Sequence, residues 1–268
     1  MKAFVSLLAN ISQKTIKHDV KGYDTLLSFG YFWQNLPDCK QLFALHPLFL
    51  FNNPSMQTLR YEIGTEFGVV WLLAHTLSSM LNASNPLTQD LQATLKHIDI
   101  GYLASESNLA EEELEGISDY LSHTQSPIGI VLGKELALHP HAEDIALICG
   151  ILGASPYIDM IMPDFTENIT LSTPPHLDLQ ICEDLPESNG NFIYALPSTL
   201  STPTLKIPPL FAPALKLKDG QHITLNFESQ SIKAICQCDK AQKGTIALLY
   251  LPQTHDIGYP YKKVEVIL

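Results

Sequence analysis

Hydrophobic residues recur with a helical period through the first half of the chain. Residues 65–81 place their apolar side chains on one helical stripe, and Thr65 precedes this stripe as the predicted N-cap. A second helix is predicted after Asn108, which is followed by an acidic first turn and a buried apolar line. A third is predicted from about Pro140 to Leu152, and the first twenty residues also indicate a packed helix.

Short apolar runs between these helices have the length of buried strands. Residues 126–133 and 156–163 are nearly continuous apolar runs, as expected for strands covered on both faces of a sheet. Residues 46–52 form a third run that ends at a turn, and they too predict a strand. The helix between the first two runs predicts a strand–helix–strand unit whose strands are parallel and whose crossover is right-handed.

The pattern changes after Phe165. The following segments are rich in proline and hydroxyl side chains, which excludes interior helix. From Leu215 onwards apolar and polar residues alternate with a period of two, which is typical of strands in a small β-domain. The predicted fold class is α/β, with a parallel-sheet domain at residues 1–205 followed by a small C-terminal β-domain at residues 206–268.

Charge and composition narrow the choice of partner. The chain has 268 residues, of which 28 are Asp or Glu and 16 are Lys or Arg, so its formal net charge is −12. An acidic surface repels the phosphate backbone, and nucleic acid is therefore not expected as a partner. Arg60 is the only arginine, so the bidentate clamps that usually hold phosphates or carboxylates are nearly absent.

The sequence predicts a cytoplasmic location. The N-terminal apolar run is broken by Asn10 and Ser12 before it reaches signal-peptide form, and no window approaches the roughly 18 to 20 uncharged apolar residues that span a bilayer. No direct membrane insertion is expected. The five cysteines are an odd number and widely spaced, so free thiols are expected.

Two histidines occupy the loop in which a ligand site would be expected. His139 and His141 lie two residues apart between a predicted strand and the helix that follows it. A metal would need further ligands, and Glu135, Glu143 and Asp144 are near only in sequence. Capping the helix or facing solvent is the favoured role for both histidines.

Other candidate chemistry is equally sparse. The loop from Gly133 to Pro140 has one glycine and one lysine, Lys134, and its Glu135 would oppose an anion, so no nucleotide or pterin is expected there. Cys236 and Cys238 share one face of a strand but lack a second thiolate pair, and they are interpreted as core residues. His75, His97 and His176 have no partner that the sequence identifies. The sequence predicts no catalytic, cofactor-binding or metal-binding residues and no cofactor.

Several stretches resemble one known family. Residues 97–121, 128–152 and 177–197 follow one another in the order found in the large peripheral-arm subunit of bacterial NADH-quinone oxidoreductase, which is respiratory complex I. Residues 217–252 resemble the terminal β-barrel of molybdopterin oxidoreductases. The resemblance implies a Rossmann-like, molybdopterin-oxidoreductase-type domain followed by the barrel, and it covers about residues 40–268.

The family also has features that this chain lacks. A full-length member carries N-terminal iron–sulfur domains with clustered cysteines, whereas the five cysteines here are scattered. The resemblance therefore implies a non-catalytic scaffold subunit of the peripheral arm, without cluster or pterin. Its partners would be other peripheral-arm subunits of complex I, which would hold it at the membrane. The alternative is a free-standing cytoplasmic small-molecule or cofactor-binding oxidoreductase that uses the strand-to-helix loops near Gly133 and Ser155.

Overall fold

The chain folds into two compact units, residues 1–187 and residues 188–268. The structure is a computed structural model, and it describes residues 1–49, 55–81, 83–124, 126–173, 178–182, 184–252 and 257–268. The first unit has α/β architecture, and the second is a nearly closed β-barrel.

Six α-helices belong to the described part of the first unit. They are α1 (Lys2–Ser12), α2 (Glu66–Thr76), α3 (Pro86–Leu95), α4 (Ile100–Glu106), α5 (Glu111–Ser122) and α6 (Ala142–Gly153). Side chains cap two of them: Asn85 accepts a hydrogen bond from the N–H of Leu87 at the start of α3, and Asp99 accepts one from Tyr102 at the start of α4. Among the described residues, no helix is both long enough and apolar enough to cross a membrane.

A five-stranded parallel sheet forms the centre of the first unit. Its strands are β1 (Thr25–Phe29), β2 (Gln41–Leu45), β3 (Met56–Leu59), β4 (Ile128–Leu132) and β5 (Ile158–Ile161), in the order β3-β2-β1-β4-β5. The predicted strand–helix–strand unit is confirmed, because β4 and β5 are parallel neighbours joined through α6. Chain order and spatial order differ at β1 and β4, which are neighbours although β2 and β3 come between them in sequence.

The two faces of this sheet are covered differently. All six helices share one hydrophobic core with the face that carries Leu27 and Phe29. The opposite face carries Leu26 and is covered by Tyr23 and Trp33, with further contacts from the β1–β2 connection. Trp33 lies in that connection, which contains no helix, and its indole N–H donates to Ser28 on the sheet. Both faces are thus buried, as predicted for β4, but only one of them is buried by helices.

Two local predictions are wrong. The strand predicted at residues 46–52 is not found at residues 46–49, because β2 covers Gln41–Leu45 and the chain then leaves the sheet; residues 50–52 are outside the described part of the chain. The predicted N-cap Asn108 is not the cap of α5. It takes a left-handed backbone conformation with φ 56°, and Ala110 occupies the N-cap position, where its N–H donates to Glu113.

The second unit is a seven-stranded sheet that nearly closes on itself. Its strands are β6 (Phe192–Ser198), β7 (Thr204–Ile207), β8 (His222–Phe227), β9 (Gln230–Cys238), β10 (Ala247–Pro252), β11 (Tyr261–Lys263) and β12 (Glu265–Ile267). The order is β11-β6-β10-β7-β9-β8-β12, and only Val264 separates the two edge strands in sequence. The same terminal segment therefore pairs with β6 at one edge and with β8 at the other.

The alternating residues from Leu215 onwards lie in this barrel as predicted. Ile223, Leu225 and Phe227 are buried and point into the barrel core. The predicted boundary at residues 205/206, however, falls inside β7, and the compact units divide between Glu187 and Ser188. The difference arises because β6, in a proline-containing segment, pairs with β10 and β11 and so belongs to the barrel.

Candidate functional site at the carboxyl edge of the parallel sheet

The carboxyl ends of β1 and β4 mark the place where an open α/β sheet usually binds its ligand. The chain leaves β1 over one face of the sheet and leaves β4 towards α6 on the other. Such a divergence opens a crevice outside the strand ends, and ligands of open α/β folds lie in it. We call the space between the residues after β1 and the residues after β4 the switch-point crevice.

Two glycines bring the walls of this crevice together. Gly30 follows β1 with φ +68°, and Gly133 follows β4. A Cβ atom on Gly133 would overlap the carbonyl oxygen of Gly30, so the position admits only a residue without a side chain. The Gly30 N–H donates to Leu45 and the Gly133 N–H donates to Phe29, so both are used within the sheet and neither is offered to an anion.

The crevice is filled by the segment that follows β4. Residues Lys134–Leu138 form a 3₁₀-helix, and two of its side chains turn inward: Glu135 is 2% exposed and Leu136 is fully buried. Leu136 lies against Gly30, where a Cβ would be 3.3 Å from its Cδ2. Glu135, which the sequence predicts to oppose an anion in this loop, is therefore a buried side chain.

Two histidines at this edge, His46 and His139, are followed by proline and are held in the same way. His46 follows β2 and precedes Pro47, and its Nδ1 accepts a hydrogen bond from the Leu48 N–H at 3.0 Å. His139 precedes Pro140, and its Nδ1 accepts from the His141 N–H, also at 3.0 Å. In each case the proline that follows the histidine has no N–H, so Nδ1 accepts its hydrogen bond from the N–H of the residue after the proline.

The second ring nitrogen of each histidine faces a buried glutamate. Nε2 of His46 lies 3.7 Å from Oε1 of Glu135, and Nε2 of His139 lies 3.4 Å from Oε2 of Glu66 and 3.2 Å from the carbonyl oxygen of Gly64. Because Nδ1 accepts a backbone hydrogen bond in both rings, it carries no hydrogen, and the ring hydrogen is on Nε2. Neither ring then has a nitrogen lone pair to offer a substrate as a base.

The prediction for the two loop histidines is right in part. His139 does bond to the backbone that leads into α6, but it is 6% exposed and therefore not a surface residue. His141 is exposed, stacks on the Phe67 ring at 4.6 Å, and has its Nδ1 3.3 Å from Oδ2 of Asp144. Across the described residues, no three His, Cys, Asp or Glu side chains are placed to hold a metal ion.

Three other residues that the sequence singles out, Lys134, Ser155 and Arg60, lie in different connections of the α/β unit. Lys134, the one lysine of the loop after β4, is half-buried. Ser155 follows α6 and precedes β5, so it lies in a helix-to-strand connection and not, as predicted, in a strand-to-helix loop; its hydroxyl donates to the Met80 carbonyl. Arg60 follows β3 at the carboxyl edge, and its Nε donates to the Pro47 carbonyl.

Away from the crevice, three side chains form a polar cluster beside the start of β5. The Lys17 ammonium donates to Asp159 at 2.8 Å and to the Tyr23 hydroxyl at 2.6 Å, and that hydroxyl donates to Asp159 at 2.7 Å. Burial opposes ionisation of Asp159, but the hydrogen bonds from Lys17 and Tyr23 outweigh it and lower the pKa of the carboxyl. The hydrogen bonds that Lys17 donates to Asp159 and to Tyr23 raise the pKa of Lys17. These hydrogen bonds connect the segment before β1 to the edge strand β5.

The five cysteines are free thiols, and they differ in solvent exposure. Cys236 lies in the barrel core as predicted, and burial, with Cys238 nearby, raises its pKa to about 11. Burial likewise raises the pKa of Cys149, on α6, to about 12. Cys238, in contrast, is exposed at the end of β9, so the prediction of a core residue is wrong for it.

The three histidines that the sequence leaves without a partner lie away from the crevice or outside the described chain. His75 is exposed on α2 at a pocket of about 230 Å³ whose walls include Glu111 and Glu115 of α5. His97 is exposed after α3, and His176 is outside the described residues. The walls of the His75 pocket come from helices and from the turns that follow them, and they share no described residue with the switch-point crevice.

Sequence comparison adds no relative against which this geometry can be compared. No protein-family model matches the chain. No curated protein is significantly similar to it. The interpretation of the crevice therefore rests on its own contacts.

Proposed function

We propose that the chain is a non-catalytic subunit of the peripheral arm of a respiratory NADH-quinone oxidoreductase (complex I)-type assembly, in which its α/β unit is a structural scaffold. The observation that carries the scaffold role is the occupied switch-point crevice. Glu135 and Leu136 fill the space that a ligand would take, and both are buried. A fold that uses its ligand crevice for its own core is suited to a structural role.

The residues at this edge do not suit a nucleotide or a pterin. A phosphate group needs several free backbone N–H donors, but those of Gly30 and Gly133 bond within the sheet. A buried carboxylate, Glu135, stands where the anion would lie. The only arginine, Arg60, is engaged with the Pro47 carbonyl. We therefore include neither cofactor in the proposed role.

The proposed family assignment rests on the resemblance and on two features of the architecture. The strand order β3-β2-β1-β4-β5 corresponds to the first five strands of the Rossmann order, and a β-barrel follows the sheet. One departure is that the β1–β2 connection contains no helix. We propose a reduced molybdopterin-oxidoreductase-type domain, whose partners are other peripheral-arm subunits that hold it at the membrane.

Co-purification tests this proposal. The full chain, tagged at its N-terminus, is expressed in its own cells, and a mild detergent extract of the membranes is separated on a native gel. The tagged chain should migrate with NADH-quinone oxidoreductase subunits, identified by mass spectrometry. An unrelated tagged protein at matched abundance is the control. Recovery of the chain only as a free species, in every fraction, would contradict the proposal.

The alternative is a free-standing small-molecule or cofactor-binding oxidoreductase. The observation that favours it is the convergence of four ionisable side chains, His46, Glu66, Glu135 and His139, on the edge where such enzymes bind substrate. It requires the crevice to open, because all four are at most 6% exposed. Turnover or a bound chromophore in the purified chain would favour this alternative.

A further inference from the structure

A second concave site lies in the barrel unit, where two parallel strands end. β7 and β9 run side by side, with Ile207 opposite Cys238, and the N–H of Asp239 continues the pairing by donating to Ile207. The chain after β7 folds back over these strand ends and forms a short 3₁₀-helix, Pro213–Leu215. Between this segment and residues 238–240 lies a pocket of about 270 Å³. We call it the barrel pocket.

The interior of the barrel pocket is apolar. Phe211 is 3% exposed and Ile207 is 6% exposed, and the rest of the apolar wall consists of Leu217, Ala212 and three prolines at positions 208, 209 and 213. Prolines have no N–H, so much of this backbone presents no donor to water or ligand. Such a wall favours the apolar body of a ligand, as in small-molecule sites generally.

The backbone of the covering segment is held in an uncommon conformation. Ala212 and Lys216 both have left-handed backbones, with φ 43° and φ 48°, although neither is glycine. A residue other than glycine is strained in this conformation and persists in it only where surrounding contacts fix it. The segment is therefore shaped by its fold, and it sets the pocket wall and directs Lys216 to the pocket.

The rim of the barrel pocket has a net positive charge in a chain that is acidic as a whole. Lys216 and Lys240 line it, both are exposed, and neither forms an ion pair with a carboxylate of the described residues. The one acid on the wall, Asp239, is paired with Lys206 at 2.9 Å. The hydrogen bond from Lys206, with one from the Ala241 N–H, lowers the pKa of Asp239. The ammonium groups of Lys216 and Lys240 thus remain for an anion.

We propose that the barrel pocket binds a small organic anion with an apolar body, such as an aryl or alkyl carboxylate. The body would lie against Phe211 and the prolines, and the carboxylate would lie between Lys216 and Lys240. The volume of about 270 Å³ is near the lower end of small-molecule sites, which suits a ligand of about one large side chain. This site is independent of the switch-point crevice and of the proposed subunit role.

The exposed thiol of Cys238 lines the pocket and serves as a native reporter. The other four cysteines are buried or half-buried, so neutral iodoacetamide should alkylate Cys238 fastest.

Phenylbutyrate is the probe for the barrel pocket. Butyrate, which lacks the ring, and phenylbutylamine, which reverses the charge, are the control compounds. The rate of Cys238 alkylation is followed by mass spectrometry, and binding heat is measured by calorimetry on the full chain. Phenylbutyrate should protect Cys238 and bind with a Kd of about 1 mM or tighter. Neither of the other compounds should match it.

Two variants separate this site from nonspecific binding. Lys216→Gln combined with Lys240→Gln should weaken phenylbutyrate binding at least about five-fold, because both cations are lost. Lys233→Gln is the matched control, because Lys233 is also exposed, on β9, but does not line the pocket. The control should bind as the unaltered chain does, and added salt should weaken both. Equal binding of the amine, absence of protection, or equal loss in the control would overturn the proposal.

Discussion

The switch-point crevice and the barrel pocket both lie at the ends of parallel strands, but their polar side chains differ in solvent exposure. In the crevice, His46 and Glu135 are at most 2% exposed and face each other. In the pocket, Lys216 and Lys240 are exposed and have no carboxylate partner among the described residues. Position at a strand end is therefore not sufficient for a ligand site. The space must also be open, and its polar groups must be free to form hydrogen bonds or ion pairs with a ligand.

The largest expected effect concerns the core behind the crevice. Ile148 on α6 is 1% exposed, so Ile148→Ala should destabilise the α/β unit by about 2 to 5 kcal/mol through lost burial and a cavity. Leu138→Ala is the control, since Leu138 is 46% exposed and the change should be within about 0.5 kcal/mol. Urea unfolding followed by tryptophan fluorescence measures both, because Trp33 and Trp71 are in the α/β unit. Equal effects would contradict the assignment of α6 as core.

A smaller effect is expected where the crevice walls meet. Gly133→Ala would place a Cβ against the Gly30 carbonyl oxygen, so the strand ends must separate, at a cost of about 1 to 3 kcal/mol. Gly116→Ala is the matched control, because Gly116 lies in α5 with no atom within 4 Å of the added Cβ. That change should stabilise by about 0.5 to 1 kcal/mol. The same fluorescence assay measures the two, and a tolerated Gly133→Ala would mean that the walls are not in contact.

The polar cluster at β5 should contribute less, and only within a pH window. The pKa of Asp159 is lowered in the folded state, so its stabilising effect is present above its unfolded pKa of about 3.9 and is lost as the pH falls through the folded value. The pKa of Lys17 is raised, so its effect is present below about pH 10.4 and is lost as the pH rises through the folded value. Asp159→Asn should therefore cost most between about pH 5 and pH 9.

Solvent limits the size of that effect. The Lys17 side chain is 49% exposed, so the change should not exceed about 1 kcal/mol and should shrink in high salt. Urea unfolding of Asp159→Asn and the unaltered chain at several pH values measures it. A constant difference down to pH 2 would exclude Asp159 titration as its source.

The smallest effect is expected at the loop lysine. Lys134 is half-buried, and it forms no ion pair within the described part of the chain, so Lys134→Ala should change stability by no more than about 0.5 kcal/mol. Urea unfolding provides the measurement. A loss of more than 1 kcal/mol would instead assign this lysine a role in fixing the 3₁₀-helix that fills the crevice.

The sequence predicts the long periodic elements better than the short strands. α6 and its flanking strands are recovered because a helical stripe lies between two apolar runs of strand length. β1 and β2 are not predicted, because a five-residue run does not by its period distinguish strand from buried helix, and no helix lies between them as α6 lies between β4 and β5. β6 escapes prediction for a different reason: it contains Pro197 and lies in a proline-rich stretch, although pairing with β10 fixes it as a strand.

The candidate site could be predicted only in part. The two His-Pro pairs are visible in the sequence, and they are the signal that could have identified His46 along with His139. Their glutamate partners are not visible, because Glu135 and Glu66 come from distant segments that the sheet brings together. The packing of Leu136 in the crevice also depends on its contact with Gly30. These two residues are far apart in sequence and meet only in the folded chain.

Ligand titration at the switch-point crevice distinguishes a scaffold from a nucleotide-binding or pterin-binding domain. NADH, flavin mononucleotide and molybdopterin guanine dinucleotide are titrated by calorimetry into the purified chain and into Lys134→Ala. Because Glu135 and Leu136 occupy the crevice, no binding tighter than about 10 μM is expected, and the two proteins should behave alike. Binding of any of the three below about 10 μM that Lys134→Ala abolishes would contradict the scaffold role.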